Sequence, residues 1–139
     1  MIIDCIADLH GFYPELQGGD LLIVGGDLTA RDTEFQFYEF MEWIRAQSYR
    51  KKVFIAGNHD GLIEKGEIPF CKITDGAEYL CDSGCQFEYE EEEETKWGRR
   101  MVKKTLNIWG SPWPIMPRAS VCGWALSARI RVKAVWPNT

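Results

Sequence analysis

Three short apolar runs constrain this chain more than any other feature, because each ends at once in residues that are costly to bury. "IIDCIA" (2–7) runs into Asp8, Leu9, His10 and Gly11, "DLLIVGG" (20–26) into Asp27, and "KVFIA" (52–56) into Gly57, Asn58, His59 and Asp60. Runs this short, apolar and rich in Ile, Leu and Val predict strands covered on both faces. Between the second and third, residues 32–47 predict a helix capped by Asp32, with Phe35, Phe37, Phe40, Met41, Trp43 and Ile44 as its apolar face. Strand, loop, strand, helix, strand is the rhythm of an α/β protein.

The 139 residues suit one domain, and neither an internal repeat nor an inter-domain linker interrupts them. No run reaches the roughly 18 apolar residues that a membrane-spanning helix needs. The opening "MIIDCIADLHG" has no basic n-region, long apolar h-region or small-residue cleavage site, so a cytoplasmic protein is expected. The five cysteines are odd in number and irregularly spaced, which argues against a disulfide framework. Cys81 and Cys85 form a C-x3-C with no second pair behind it, so small buried thiols are expected rather than a structural zinc site.

Beyond residue 61 the pattern weakens. "LIEKGEIPF" predicts a short helix stopped before Pro69, and "CKIT", "AEYL" and "CQFEYE" predict short strands. All 21 acidic residues fall within residues 1–94, while residues 95–139 hold nine Lys or Arg and no acid. Such a split marks either a basic tail for an anionic partner or two parts that pair with each other. The second reading predicts a hairpin in which Gln86 to Glu93 runs antiparallel to Arg99 to Asn107, with opposite charges setting the register. The alternative for "EYEEEEE" is a solvated acidic loop. Pro112, Pro114 and Pro117 exclude regular helix or central strand from the segment that contains them.

In an open parallel sheet, functional groups gather at the carboxyl ends of the strands. Here those ends offer Asp8, His10, Asp27, Asn58, His59 and Asp60. Oxygen from Asp and Asn, with imidazole nitrogen, suits manganese, iron or zinc better than an all-oxygen calcium cage. If the chain is extended at Asp8-Leu9-His10, the outer two side chains point the same way and can grip one ion. Asp8 and Asp27 side by side would repel each other. Two cations about 3.5–4 Å apart, sharing a carboxylate, would relieve this and supply a bridging hydroxide. Singly, each motif is also what a turn or helix cap looks like; it is their repetition after three strands that points to a metal centre.

The three motifs resemble the calcineurin-like metallophosphoesterase superfamily, whose opening signature is D-x-H, then G-D-x-x, then G-N-H-D/E. Asp8-Leu9-His10, Gly26-Asp27-Leu28-Thr29 and Gly57-Asn58-His59-Asp60 match it within residues 1–61. The phrases "GGDLLIVGGDLT", "YLCDSG" and "IWGSPW" are similar to the subgroup related to metallophosphoesterase-domain-containing proteins, out to about residue 125. The resemblance implies an α/β/β/α sandwich, of which this chain would hold the N-terminal part. It implies one or two divalent ions per chain, Mn2+ or Fe/Zn, and hydrolysis of phosphomonoesters or phosphodiesters. By it, Asp8 and His10 hold the first metal, Asp27 bridges, and Asn58 goes to the second. His59 then protonates the leaving group or stabilises the transition state, and Asp60 orients His59. The expected partner is a phosphate-ester small molecule or nucleotide; neither a membrane nor a nucleic acid is expected.

The chain also departs from the family. A mid-chain histidine and a later G-H-x-H complete both metal shells in the family, but His10 and His59 are the two histidines here. After "CGW" the chain reads "ALSARIRVKAVWPNT" with no clear element, which is expected of a truncated or frame-shifted product; the alternative is a short variant whose basic last segment forms an edge strand. With half of the sandwich missing, exposed apolar surface or self-association through the sheet is expected. Two functions follow from these features: a phosphoesterase impaired by lost ligands, or a vestigial metal-binding domain without hydrolase activity.

Overall fold

The computed structural model describes residues 1–67 and 76–111 and the strand at 129–135. Its first sheet is parallel, in the order β1 (Ile3–Ile6), β2 (Gly19–Val24), β3 (Tyr49–Phe54) and β4 (Glu78–Tyr79). Helix α1 (Glu34–Ala46) joins β2 to β3, and the single turn of α2 (Gly61–Glu64) follows β3. A second, antiparallel sheet holds β5 (Ser83–Thr95), β6 (Gly98–Ser111) and β7 (Arg129–Val135) in that order.

Side-chain alternation along β2 and β3 explains the layering. Leu22, Val24, Phe54 and Ala56 point to one side and pack with Phe37, Phe40, Met41 and Ile44 of α1. Leu21, Ile23, Val53 and Ile55 point to the other side and pack with Phe87, Leu106 and Ile108 of the second sheet. Strands with cover on both faces lose the apolar-polar alternation of a half-exposed strand, as their sequences show. Helix, sheet, sheet is the resulting order among the described residues, in agreement with the expected mixed α/β class. The two sheets meet closely at Gly110, where a Cβ would stand 2.5 Å from Leu80 Cβ and 2.7 Å from Ile55 Cγ2.

Several expectations need correction. The first run is not a buried strand. β1 lies at the edge of the sheet among the described residues, with Cys5 exposed and its neighbours half-buried. Helix α1 is capped by Thr33, whose hydroxyl accepts from Gln36 N at 3.2 Å, not by Asp32. Asp32 instead accepts from Leu62 N at 2.9 Å and ties α2 to the loop before α1. Phe35 lies off the buried 37-40-41-44 stripe and is exposed. The thiols are not all buried: Cys5 and Cys81 are exposed and Cys85 is half-buried. Cys71, Cys122, "CKIT", Pro69 and the proline-rich segment after Ser111 lie outside the described residues. The parallel sheet is not left bare, because the second sheet covers one face and α1 the other. The basic last segment does form an element, since β7 pairs with β6 from Thr105↔Val135 to Ser111↔Arg129.

The acidic and basic runs pair as a hairpin, longer than expected, with Lys96 and Trp97 as the two-residue turn between Thr95 and Gly98. Glu94 sits opposite Arg99, Glu93 opposite Arg100 and Glu90 opposite Lys103. Lys104 falls on the inner face of the hairpin and is buried, held by Glu91 Oε2 at 2.6 Å and Glu93 Oε1 at 3.2 Å. The hydrogen bond from Lys104 holds the Glu91 carboxyl below its usual range, and the bond to Glu91 holds the Lys104 ammonium above its own. Glu91 therefore stabilises the fold above its unfolded value of about 4.3, and this is lost as pH falls through its lower folded value. Lys104 stabilises it below about 10.4, and this is lost as pH rises through its higher folded value. The thermal midpoint should accordingly fall at both extremes, and Lys104→Met should make both limbs shallower. Superimposable profiles for the two proteins would contradict this pairing.

Candidate metal centre

The parallel register sets the site. Ile6, Val24 and Phe54 stand level with one another across β1, β2 and β3, so the residues that follow them emerge side by side. Three further bonds carry the sheet one step past those ends: Gly25 N to Ile6 O at 2.8 Å, Ile55 N to Val24 O at 3.1 Å and Leu80 N to Phe54 O at 3.0 Å.

The first two loops are then sewn together by their backbones. Asp8 N donates to Gly26 O at 3.1 Å, and His10 N donates to Asp27 O at 2.9 Å. The backbone at these bonds is left-handed, with φ of 56°, 48° and 52° at Asp8, His10 and Asp27. The chain is therefore not extended at Asp8-Leu9-His10, and the argument that places those two side chains on one side by alternation does not apply. Left-handed non-glycine residues cost about 1 kcal/mol or more each and concentrate where the surrounding structure holds a functional site.

The third loop closes over the second through Asp60, which is fully buried. Its Oδ2 accepts from Leu28 N at 2.9 Å and Gly57 N at 2.8 Å, while its Oδ1 accepts from Thr29 N at 2.9 Å and Thr29 Oγ1 at 3.0 Å. Burial pushes the Asp60 carboxyl above the usual carboxylate range, against four hydrogen bonds that pull it down. Gly57 is required here, since a Cβ on it would collide with Asp27 N and Oδ1. All of the Asp60 bonds go to Gly57, Leu28 and Thr29, so its carboxylate does not hold the His59 ring. Between Asp60 and the His59 backbone stands Thr29, whose one hydroxyl proton lies within reach of Asp60 Oδ1 at 3.0 Å and His59 O at 2.8 Å.

What the loops bring together is centred on Asp27. One ligand atom each from His10, Asp27 and His59 lie within 4.8 Å of one another. His10 Nε2 is 3.9 Å from Asp27 Oδ2, and the two imidazole centroids are 4.9 Å apart, edge to face. His59 N donates to Asp27 Oδ1 at 3.0 Å. His59 Nδ1 lies 3.3 Å from Ala30 O, and because a carbonyl can only accept, that contact puts the ring proton on Nδ1 and leaves Nε2 as a lone-pair donor. Ala30 and Thr29 escape sequence reasoning because a carbonyl is the same in every residue and a lone Thr after "GDL" reads as a turn residue. Asp8 is exposed at the same rim, and its carboxylate is not part of the group around Asp27.

These residues fit a divalent cation. The Asn58 amide sits 2.7 Å from Asp27 Oδ1 and 3.0 Å from Oδ2. With its nitrogen turned toward Asp27, the amide donates to both oxygens. With its oxygen turned that way, the separation is that of two oxygens on one octahedral ion, about 3.0 Å for ligands at about 2.1 Å. Flipping one exposed amide therefore exchanges a hydrogen-bonded site for a ligand site. Cys81 and Cys85 join no comparable group among the described residues, and burial, with Glu78 beside it, pushes the Cys85 thiol up.

A parallel sheet with imidazole, carboxylate and amide at its strand ends, backed by a second sheet, defines an α/β protein with a candidate metal centre at the sheet edge. Residues 1–124 match the family model of calcineurin-like phosphoesterases, and the chain belongs to that family. It is 30% identical over 128 residues to the UPF0046 protein C25E10.12 of Caenorhabditis elegans, which covers 81% of this chain and 41% of that protein. It is 36% identical over 58 residues to metallophosphoesterase domain-containing protein 1 of Homo sapiens, covering 40% of this chain and 18% of that protein. A 61-residue stretch, 44% of this chain, is 38% identical to 6% of a protein of Emericella nidulans named "Probable rhamnogalacturonate lyase C". The chain thus spans less than half the length of each of these relatives. Among the described residues no helix is long and apolar enough to cross a membrane.

Proposed function

We propose that this chain is a metal-dependent phosphoesterase that hydrolyses phosphate monoesters or diesters of a small molecule or nucleotide. The observation that carries the reading is the convergence of His10, His59 and Asn58 on Asp27. When bound, the ion supplies a water acidic enough to act near neutral pH and neutralises charge on the phosphoryl oxygens. Asp27 and Asn58 would hold it with oxygen, and His10 with nitrogen. Asp8, exposed on the same loop as His10, is the further carboxylate on offer to the ion. His59 presents Nε2 to the site with its ring held by Ala30 O, and once that nitrogen takes up a proton it can pass it to the leaving oxygen. Manganese, one or two ions per chain, is the first cation to test. The free thiols of Cys5, Cys81 and Cys85 suit the reducing cytoplasm.

The test is hydrolysis of bis(p-nitrophenyl) phosphate by protein stripped with chelator and then titrated with Mn2+. Turnover should return with the ion, and His59→Ala should lower kcat about 10²–10⁴-fold. A second reading, a metal-binding domain without turnover, is favoured by the count of two histidines in 139 residues. Stoichiometric Mn2+ binding with no rate above that of free Mn2+ would establish it in place of the first.

A further inference from the structure

We propose that Phe12 forms an apolar wall of the metal centre and that the group esterified to the substrate's phosphate carries an aromatic ring. The inference rests on the phosphoesterase reading and narrows its substrate class. Phe12 is 76% exposed. Scattered exposed apolar side chains are ordinary, so exposure alone decides nothing. What distinguishes Phe12 is an exposed ring on a pinned backbone, two residues along the chain from His10.

The loop is pinned on both sides of Phe12. Leu9 is buried before it, and Phe12 N donates to Leu9 O at 2.9 Å. After it, Tyr13 stacks on Trp43 with centroids 5.6 Å apart, and its hydroxyl lies 3.1 Å from the carbonyls of Leu28 and Gln36. Trp43 Nε1 in turn donates to Pro14 O at 2.8 Å. With Leu9 and Tyr13 turned inward, the left-handed residues His10 and Gly11 carry the chain between them, and His10 and Phe12 are both left in solvent.

The same loop borders the residues that hold His59. A Cβ on Gly11 would meet Ala30 Cβ at 3.7 Å, and Ala30 O is the carbonyl on His59 Nδ1. Phe35, 71% exposed in the first turn of α1, lies a few residues beyond Ala30. Two residues span at most about 7 Å of chain, so the Phe12 backbone stands within one substrate length of His10. A phosphoryl group at the centre would project its ester substituent toward solvent, where Phe12 also stands. A flat ring there meets an aromatic face without displacing any protein contact, whereas a small alkyl group leaves Phe12 in water. Aromatic pairing of this kind corresponds to a preference of about threefold to tenfold.

Two non-hydrolysable probes test the proposal by calorimetry on the Mn2+-loaded full chain: phenylphosphonate and methylphosphonate. The unmodified protein should bind phenylphosphonate about threefold to tenfold more tightly. Phe12→Ala should remove that preference and leave methylphosphonate affinity unchanged, while Phe12→Trp should keep it. The exposed position makes both variants safe for folding, and Mn2+ stoichiometry checks the centre separately. Equal affinity for the two probes in the unmodified protein, or a preference that survives Phe12→Ala, overturns the aromatic wall and leaves the metal centre standing. Normal Mn2+ uptake without binding of either probe overturns the wall and the phosphoesterase reading together.

Discussion

Asp27→Asn is expected to reduce Mn2+ affinity by at least about 10–100-fold, the effect of losing a mere supporting partner of a ligand, and to lower diesterase turnover further. The reason lies in its position. His10, Asn58 and the His59 backbone all converge on this one carboxylate, at 3.9 Å from His10 Nε2, 2.7 Å from the Asn58 amide and 3.0 Å from His59 N. An amide of the same shape still accepts from His59 N, so the loop should keep its conformation. What it removes is the negative charge that attracts the ion. Stability without metal should therefore change little, since Asp27 makes no ion pair with Lys or Arg among the described residues. Titration by manganese electron paramagnetic resonance separates binding from folding. If Asp27→Asn takes up Mn2+ as tightly as the unmodified protein does, the centre has been placed around the wrong residue.

Asp60→Ala is expected to cost about 3–5 kcal/mol of stability, because each buried N–H left without an acceptor costs about 1–3 kcal/mol. Three buried backbone donors would lose their acceptor, Leu28 N, Gly57 N and Thr29 N, while Thr29 Oγ1 keeps His59 O at 2.8 Å. For a domain with total stability of roughly 5–15 kcal/mol this is a large fraction. With a urea slope of about 1–3 kcal/mol/M, the midpoint should fall by about 1–5 M. Asp60→Asn should not rescue the protein, because an NH2 at Oδ2 faces the N–H groups of Leu28 and Gly57, and one at Oδ1 faces that of Thr29. Asp60→Asn thus distinguishes a hydrogen-bond hub from a simple space-filler. An Asp60→Asn protein within about 0.5 kcal/mol of the unmodified one would contradict the hub. Any loss of turnover in these variants should follow from the β2 and β3 loops separating, since the Asp60 carboxylate has no bond to the His59 ring.

Much of this architecture is legible in the residue order. Apolar runs ending in Asp, Asn and His mark strands that deliver polar groups to one edge, and the 37-40-41-44 spacing marks the buried stripe of α1. Opposed Glu and Arg/Lys runs around Lys96-Trp97 mark the hairpin and its register, because cross-strand charge pairing is a local property that sequence carries directly. Cys5 was harder to read. Periodicity says that a run is apolar but not how many neighbours the strand will have, and β1 ends at a sheet edge with its thiol exposed. The cap of α1 was harder for a similar reason. Asp32 and Thr33 are both good caps, and Asp32 was claimed by Leu62 N, 30 positions away.

The sequence alone determined which chemical groups this protein can bring to a metal and that they leave the sheet at three strand ends. Only the tertiary structure decided how those groups divide their work. Asp60 became the buried clamp between two loops and Ala30 the group that fixes the His59 ring, while Asp8 stayed at the rim. The physical reason is that hydrogen-bond capacity is finite and spatial. A carboxylate already filled by Gly57, Leu28 and Thr29 has nothing left for a histidine ring beside it, and no residue-type pattern records which donors arrive first.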